Sequence, residues 1–379
     1  MVTEDTRKKL EELDRQIEEL TKLRLSLATE SDDTKTLSEQ LVAERKYERK
    51  FLNSLDYGDD VTLRSCQRTV FRTLFDLSRT YSSTKTKTVS YLATRISDAL
   101  ENTPKIFPDS ALVACQGVEG AYSQIACDRL FANADIMYFR TFEGVFQAVE
   151  NGLCKYGVLP IENSSHGSVN QVYDLMKSHK FHIVRAKKLQ ISHRLMVKPG
   201  TKFEEIREVI SHEQAIGQCS NFLKNNQNIK VTIVANTALA AQTVANSDRK
   251  DLAAISSPDC ANLYNLDIVR DDIQNSDHNY TRFIVICKDL EIYPGADKAS
   301  IMVALGHTPG ALSNLLSRFS ATGLNLTKIE SRPIVGRDFE FMFYLDIDAS
   351  VYSESFIDLM CQLDSDSPAF TFLGSYKEN

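Results

Sequence analysis

Apolar residues in the first hundred positions recur at helical spacing. Leu10, Leu13, Ile17 and Leu20 step by three, four and three, the mark of one stripe along a long amphipathic helix. Val70, Phe71, Leu74, Phe75 and Leu77 form a second such pattern. The first glycine is Gly58 and the first proline is Pro104, so helix breakers are almost missing from this stretch. Residues 1–103 are therefore predicted to be all-helical. A small helical unit with one long apolar seam needs something to bury it, so dimerisation is expected.

The pattern changes after NTPKIFPDS, which reads as a linker. The runs ALVACQG, KYGVLPI, HRLMVKP, KVTIVAN, LAAISS and TRFIVIC are short, apolar and bounded by turn residues, as buried strands are. Helical patterns at 142–151, 168–178, 212–225 and 237–247 fall between them. Such alternation predicts an α/β region in two lobes with a largely parallel sheet. Beyond Pro294 the order is strand ASIMVALG, helix PGALSNLLSRFSATG closed by Gly323, strands NLTKIESRP and FEFMFYLDID, helix SESFIDLMCQL and strand AFTFLGSY. That is the βαββαβ order of a ferredoxin-like α+β unit. Three domains are expected, at 1–103, 104–290 and 295–379.

Composition narrows the function classes. A chain of 379 residues with 42% hydrophobic and 25% charged residues is a soluble multidomain protein. No run of about 18 apolar residues is present, so no membrane partner is expected. The opening MVTEDTRKKLEELDRQ has no apolar stretch after its charges, which predicts no signal peptide and a cytoplasmic location. Eight cysteines without a C-x-x-C pair suit reduced thiols better than a disulfide framework or a zinc site. The net charge of −7 argues against nucleic acid while leaving room for a small anionic substrate.

Five motifs carry candidate chemistry. They are GVEGAYS (117–123), TFEGVFQAVENGLCKYGVLPIENSSHGSV (141–169), SHEQAIGQC (211–219), NTALAAQ (236–242) and NYTRF (279–283). Taken alone, Glu162-Asn163-Ser164-Ser165 reads as a helix cap and Thr281 as a strand-edge residue. In this order, over some 180 residues, the motifs resemble the prephenate dehydratase family, whose fold is two-lobed and similar to periplasmic binding proteins. The resemblance implies that Thr281 carries catalysis. Prephenate bears two carboxylates and a ring hydroxyl, and loses CO2 and hydroxide together to become aromatic. A threonine hydroxyl against the leaving oxygen can donate a hydrogen bond or a proton.

The end of an α/β strand is where ligands sit, so Asn163, Ser164 and Ser165 are candidate contacts for carboxylate and hydroxyl. Glu162, Tyr122, Ser123, Arg282 and Phe283 complete the implied site. Arg282 is read either as a carboxylate ligand or as half of a structural ion pair. His166 is the one histidine placed near the substrate, whereas His212 and His278 are read as exposed or structural. No metal or organic cofactor is implied. Ala121 departs from the usual threonine or serine, which predicts one lost hydrogen bond near the substrate, roughly 1 kcal/mol.

Two further resemblances flank this region. Gly310-Ala311-Leu312-Ser313 and Glu330-Ser331-Arg332-Pro333 resemble the ACT family, implying an effector site for L-phenylalanine between neighbouring ACT domains; a purely structural module is the alternative. Arg7, Leu13-Asp14, Arg24, Lys35, Glu48 and Ser78 resemble the all-helical chorismate mutases. Arg24 and Lys35 lie on one helix face roughly 16 Å apart, a spacing suited to the two carboxylates of chorismate, with Arg7 arriving from a partner subunit. Tyr47 and Ser82 stand where that family has arginine and glutamine, so an active mutase and a degenerate dimerisation module both remain open. The combined expectation is a homodimer or homotetramer acting on prephenate and chorismate. The rival of another class is a non-catalytic small-molecule sensor, since such lobes also serve as binding proteins.

Overall fold

The computed structural model describes residues 3–29, 37–55, 58, 60–85, 90–334, 340–367 and 369–378. Two compact units result, one of residues 1–95 with 302–371 and one of 96–301 with 372–379. These units cut the chain differently from the three sequence segments.

The first hundred residues form α1 (Glu4–Leu27), α2 (Leu37–Ser54), α3 (Val61–Lys85) and α4 (Tyr91–Asn102), helical as the periodicity predicts. Thr3 caps α1 by accepting the Thr6 N–H, and Glu4 and Asp5 complement the helix dipole. No α1 residue is buried, and its stripe stays open, with Leu10 48% and Leu20 65% exposed. On α2 and α3 the aromatic rings interlock. Phe51 meets Phe71 at 4.8 Å and Phe75 at 5.9 Å, both edge-on.

The first lobe of the second unit runs through β1 (Ser110–Gln116), α5 (Tyr122–Leu130), β2 (Asn133–Phe139), α6 (Phe142–Glu150), β3 (Tyr156–Asn163), β4 (Gly167–Ser168), α7 (Asn170–Met176) and β5 (His182–Gln190). Residues 191–193 then cross to the second lobe. That lobe contains β6 (Arg194–Val197), β7 (Glu208–Ser211), α8 (Glu213–Gln218), α9 (Ser220–Lys224), β8 (Lys230–Ile233), α10 (Thr237–Asn246), β9 (Leu252–Ser256), α11 (Asp259–Leu263) and β10 (Asp267–Arg270). Residues 271–279 return the chain to β11 (Tyr280–Cys287) in the first lobe. The strand orders are β5-β11-β3-β1-β2 and β10-β6-β9-β7-β8.

The two-lobed α/β expectation holds, but the sheets are mixed rather than largely parallel. Strand β1 runs parallel to β2 and β3, yet β11 lies antiparallel to both β3 and β5. The cause is the double crossover: β11 re-enters the first sheet from the far lobe and is inserted between strands laid down earlier. The predicted helix at 212–225 is also broken, into α8 and α9, where Cys219 leaves helical geometry at φ −109° and ψ 18°. Strands β2, β5, β7 and β10 escape the run-based reading because their side chains alternate or their runs are short.

The last segment is β12 (Lys298–Leu305), α12 (Ala311–Ala321), β13 (Asn325–Pro333), β14 (Phe341–Asp348), α13 (Glu354–Asp366) and β15 (Ala369–Glu378), the predicted βαββαβ order. Gly323, at φ +70°, ends α12: its N–H reaches the Ser320 carbonyl, and the Leu324 N–H reaches that of Phe319. In the first unit α3 packs on both α12 and α13. In the second, Lys377 and Glu378 of β15 add to β5 as a parallel edge.

Candidate active site

Where β3 ends and β11 begins, Asn163 and Thr281 are direct cross-strand partners. The Asn163 amide is fixed from both sides. Its Oδ1 accepts the N–H groups of Ser165 and His166, each at 3.0 Å. Its Nδ2 therefore donates, to Thr281 Oγ1 at 3.0 Å and to Asn279 Oδ1 at 2.8 Å. Because Thr281 Oγ1 accepts from Asn163, its own proton is free to be given away. Among the described residues no acceptor takes it.

A chain of donors reaches this pair from the other lobe. His193 is 2% exposed, and burial pushes its pKa below the usual imidazole range, so it is neutral. Its Nε2 lies 2.7 Å from Gln218 Oε1, and Gln218 Nε2 lies 3.1 Å from His166 Nδ1. One set of proton positions satisfies all of these contacts. His193 Nε2–H donates to Gln218, Gln218 donates to His166 Nδ1, the His166 backbone N–H donates to Asn163, and Asn163 donates to Thr281. Two buried atoms at the ends of this network, His193 Nδ1 and Asn279 Nδ2, lack a hydrogen-bond partner.

Tyr122 ties the lobes together at the crossover. Its hydroxyl donates to the Ser192 carbonyl and accepts the Ser192 N–H at 3.1 Å. Burial pushes its pKa up, so it acts as a neutral phenol. The loop before it docks on the second lobe, where Tyr264 donates to the Glu119 carbonyl at 2.7 Å. Gly120, at φ +87°, is needed there because an added Cβ would sit 2.8 Å from Cys260 Sγ.

Several implied site residues have other duties. Arg282 is buried on the strand face opposite Thr281. It pairs through Nε with Glu378 Oε1 at 2.5 Å and donates to the Tyr376 hydroxyl at 2.9 Å. Of the two readings of Arg282, these contacts are those of the structural ion pair. Glu162 is the cross-strand neighbour of Arg282, away from the Asn163–Thr281 pair. Phe283 is 2% exposed and belongs to the first-lobe core with Val158 and Val285, so it is a packing residue. Ser164 extends the ladder: its Oγ donates to the His278 carbonyl at 3.1 Å and accepts the Tyr280 N–H at 2.9 Å. Ser165 contributes its backbone N–H, and Ser123 is buried in the first turn of α5.

Ala121 has a structural place of its own. It is the N-cap of α5 without a side-chain hydrogen bond and packs in an apolar cluster with Ala241 and Cys260. A serine or threonine there would have a backbone N–H of α5 to cap. His212 caps α8, with Nδ1 accepting the Gln214 N–H at 3.3 Å. Asn279 and Gln218 lie inside the NYTRF and SHEQAIGQC motifs, where nothing local distinguishes them from their neighbours. His193 was hidden in the apolar run HRLMV.

In the first unit Arg24 lies over the Phe75 ring at 5.0 Å and Glu48 pairs with Arg79. Ser78 Oγ bonds back to the Leu74 carbonyl at 2.8 Å. Arg7 is exposed beside Glu11 on α1, Ser82 is half-buried near the end of α3, and Lys35 lies outside the described residues. The expectation that Arg24 and Lys35 share one helix face is corrected, because α1 ends at Leu27 with Ala28 as its C-cap. Gly310, at φ +84°, is the N-cap of α12, followed by Ala311, Leu312 and Ser313. Ala311 and Leu312 line a pocket of 140 Å³ together with Phe341 and Phe343. Glu330, Ser331, Arg332 and Pro333 occupy β13, where Ser331 and Pro333 pair with those two phenylalanines.

The eight cysteines are all unpaired, no helix is long and apolar enough to cross a membrane, and no group of metal-ligating side chains occurs among the described residues.

Comparison with known proteins agrees with this geometry. The prephenate dehydratase family model matches residues 113–291. An Arabidopsis thaliana protein named arogenate dehydratase/prephenate dehydratase 1, chloroplastic, is 41% identical over 256 residues, 63% of this chain and 65% of that protein. A bifunctional chorismate mutase/prephenate dehydratase of Enterobacter agglomerans is 33% identical, covering 70% of each chain. The solved structure of prephenate dehydratase in complex with L-Phe from Arthrobacter aurescens aligns with a TM-score of 0.65 and 28% identity, over 70% of this chain and 89% of that one. On these matches, the chain belongs to the prephenate dehydratase family.

Proposed function

We propose that this chain converts prephenate to phenylpyruvate, CO2 and water. The observation that carries the reading is the Thr281 hydroxyl, which accepts from Asn163 and keeps its proton for a ligand. As the ring carboxylate leaves as CO2, its bonding pair enters the ring and the C–O bond opposite breaks. The departing hydroxide takes a hydrogen bond or proton from Thr281, and solvent restores it. Asn163 holds the hydroxyl in the one orientation that faces the leaving oxygen, and positioning of this kind is most of what such a step needs. Arogenate, named beside prephenate for the plant relative, would lose water and CO2 in the same way, so both are substrates to assay. Thr281→Ala should fold normally and lose at least about 100-fold in kcat. Near wild-type turnover of both compounds would sink the reading. A non-catalytic sensor would have no use for a hydroxyl held with its proton free.

Two finer readings accompany this one. Arg24 over Phe75, with Glu48 held by Arg79, favours a chorismate mutase role for the helices. Mutase turnover lost in Arg24→Ala supports that role, while its absence from the parent chain leaves dimerisation as the domain's task. The pocket beside Ala311 and Leu312 favours L-phenylalanine as effector, the ligand in complex with the Arthrobacter protein. Calorimetry without phenylalanine binding would overturn it. A homodimer or homotetramer fits the open α1 seam.

A further inference from the structure

Strand β11 pairs with β3 in two registers. From Cys287 opposite Tyr156 to Phe283 opposite Pro160 the pairing is regular, and then it shifts by one residue. After the shift Arg282 faces Glu162 and Thr281 faces Asn163. Ile161, 4% exposed, is the extra residue of the bulge. Continued without the shift, the first register would set Glu162 opposite Thr281 and Asn163 opposite Tyr280. The Asn163–Thr281 pair therefore exists only in the shifted register. We propose that Glu378 is a positioning residue for the dehydration: acting through Arg282, it pins this register, an inference that rests on the dehydratase reading for its catalytic meaning.

The backbone alone holds the shifted register weakly. Pro160, where the shift begins, has no N–H to give to the ladder. Beyond it only the pairs of Arg282 and Thr281 follow, closed by the Ser164 N–H on the Tyr280 carbonyl at 2.8 Å. Arg282 is the first β11 residue in the shifted register, and its side chain is tied to other strands. Nε meets Glu378 Oε1 at 2.5 Å, and Nη2 donates to the Tyr376 hydroxyl at 2.9 Å. That hydroxyl lies 2.6 Å from Ser300 Oγ on β12. Lys188 and Lys298 reach Glu378 Oε2 at 3.0 and 3.7 Å. Glu378 thus answers three cations, of which Arg282 is the most buried. A buried guanidinium that loses its carboxylate is driven toward water, and the strand that carries it moves with it. Because Arg282 directly follows Thr281, any such movement reaches the catalytic hydroxyl first.

The test uses the full chain. Glu378→Gln, close in shape but uncharged, should lower kcat for prephenate at least about tenfold with KM within about threefold, because Glu378 does not touch substrate. Lys188→Gln, which removes an exposed contact of the same carboxylate, should change turnover by less than about twofold. The register is read directly by NMR in chains labelled at threonine, asparagine and glutamate. A cross-strand backbone contact between Thr281 and Asn163 is expected in the parent, and in Glu378→Gln its weakening or replacement by a Thr281–Glu162 contact. Glu378→Asp keeps the charge with a shorter reach; it should show both effects in smaller measure, and it takes the place of Glu378→Gln if that variant does not fold. A variant that keeps the Thr281–Asn163 contact, or that melts earlier with kcat unchanged, would overturn the inference. If the parent turns over neither prephenate nor arogenate, the dehydratase reading fails, and the NMR contact alone decides whether Glu378 pins the register.

Discussion

The dehydratase cleft and the α1 stripe present opposite states of organisation. In the first, the Asn163 amide is held by hydrogen bonds at both its oxygen and its nitrogen, and its orientation is dictated before any ligand arrives. In the second, Leu10, Leu13, Ile17 and Leu20 stay 48 to 65% exposed on a helix with no buried residue. A preorganised group meets the transition state without reorganising, which is worth most where charge develops during a reaction. An open apolar stripe suits association, where a partner supplies the missing cover. The contrast extends to the surroundings, because the dehydratase cleft lies between two closed cores while the α1 stripe stays open.

The sharpest way to break this comparison is to remove the organiser. Asn163→Ala leaves Thr281 in place but unheld, and kcat for prephenate should fall about 100-fold. The melting temperature should drop only modestly, since two exposed backbone N–H groups can turn to water. Turnover within a few-fold of wild type would mean that Thr281 needs no positioning.

A second test moves to the far lobe. Gln218→Ala cuts the donor chain between His193 and His166 while touching neither Asn163 nor Thr281 directly. A loss of roughly tenfold in kcat is expected, since the remaining contacts still orient Asn163. An unchanged rate would show that His166 holds its place without help from the second lobe.

A third test addresses the open seam. Leu13→Asp with Ile17→Asp puts charge on a stripe whose members are 52% and 60% exposed. If a second copy covers that stripe, light scattering should show a smaller assembly, while prephenate turnover stays within about twofold because the dehydratase cleft is self-contained. An unchanged mass would mean that α1 is not an interface.

Much of this was legible in the sequence, and the misses have identifiable causes. Asn163 and Thr281 are readable because each sits in a polar break at the end of an apolar strand. The partner of Arg282 is not, since Glu378 lies 96 residues further on and reaches it only through sheet pairing. The buried runs announce strands but not their direction, so the antiparallel insertion of β11 had no local signal. His193 looked like one polar interruption in HRLMV, and only the neighbouring lobe shows that its two ring nitrogens lead different lives.

The smallest expected effect concerns that histidine and acid. Burial lowers the folded pKa of His193 below its ordinary value of 6.5, more than the Gln218 hydrogen bond raises it, with Arg194 adding to the decrease. The unfolded chain therefore binds a proton more readily than the folded one, and stability rises with pH through this window. The contribution of His193 is complete above about pH 6.5 and is lost as pH falls toward its depressed folded value. That loss should be seen as a lower melting temperature at pH 5 than at pH 7. His193→Gln should flatten this part of the profile. Catalysis should respond less than stability over the same range, because a protonated His193 still donates from Nε2 to Gln218 and leaves the chain of donors to Thr281 intact. A kcat that falls with protonation of His193 while the melting temperature holds would reverse that assignment and make the ring's charge, rather than its burial, the property that matters.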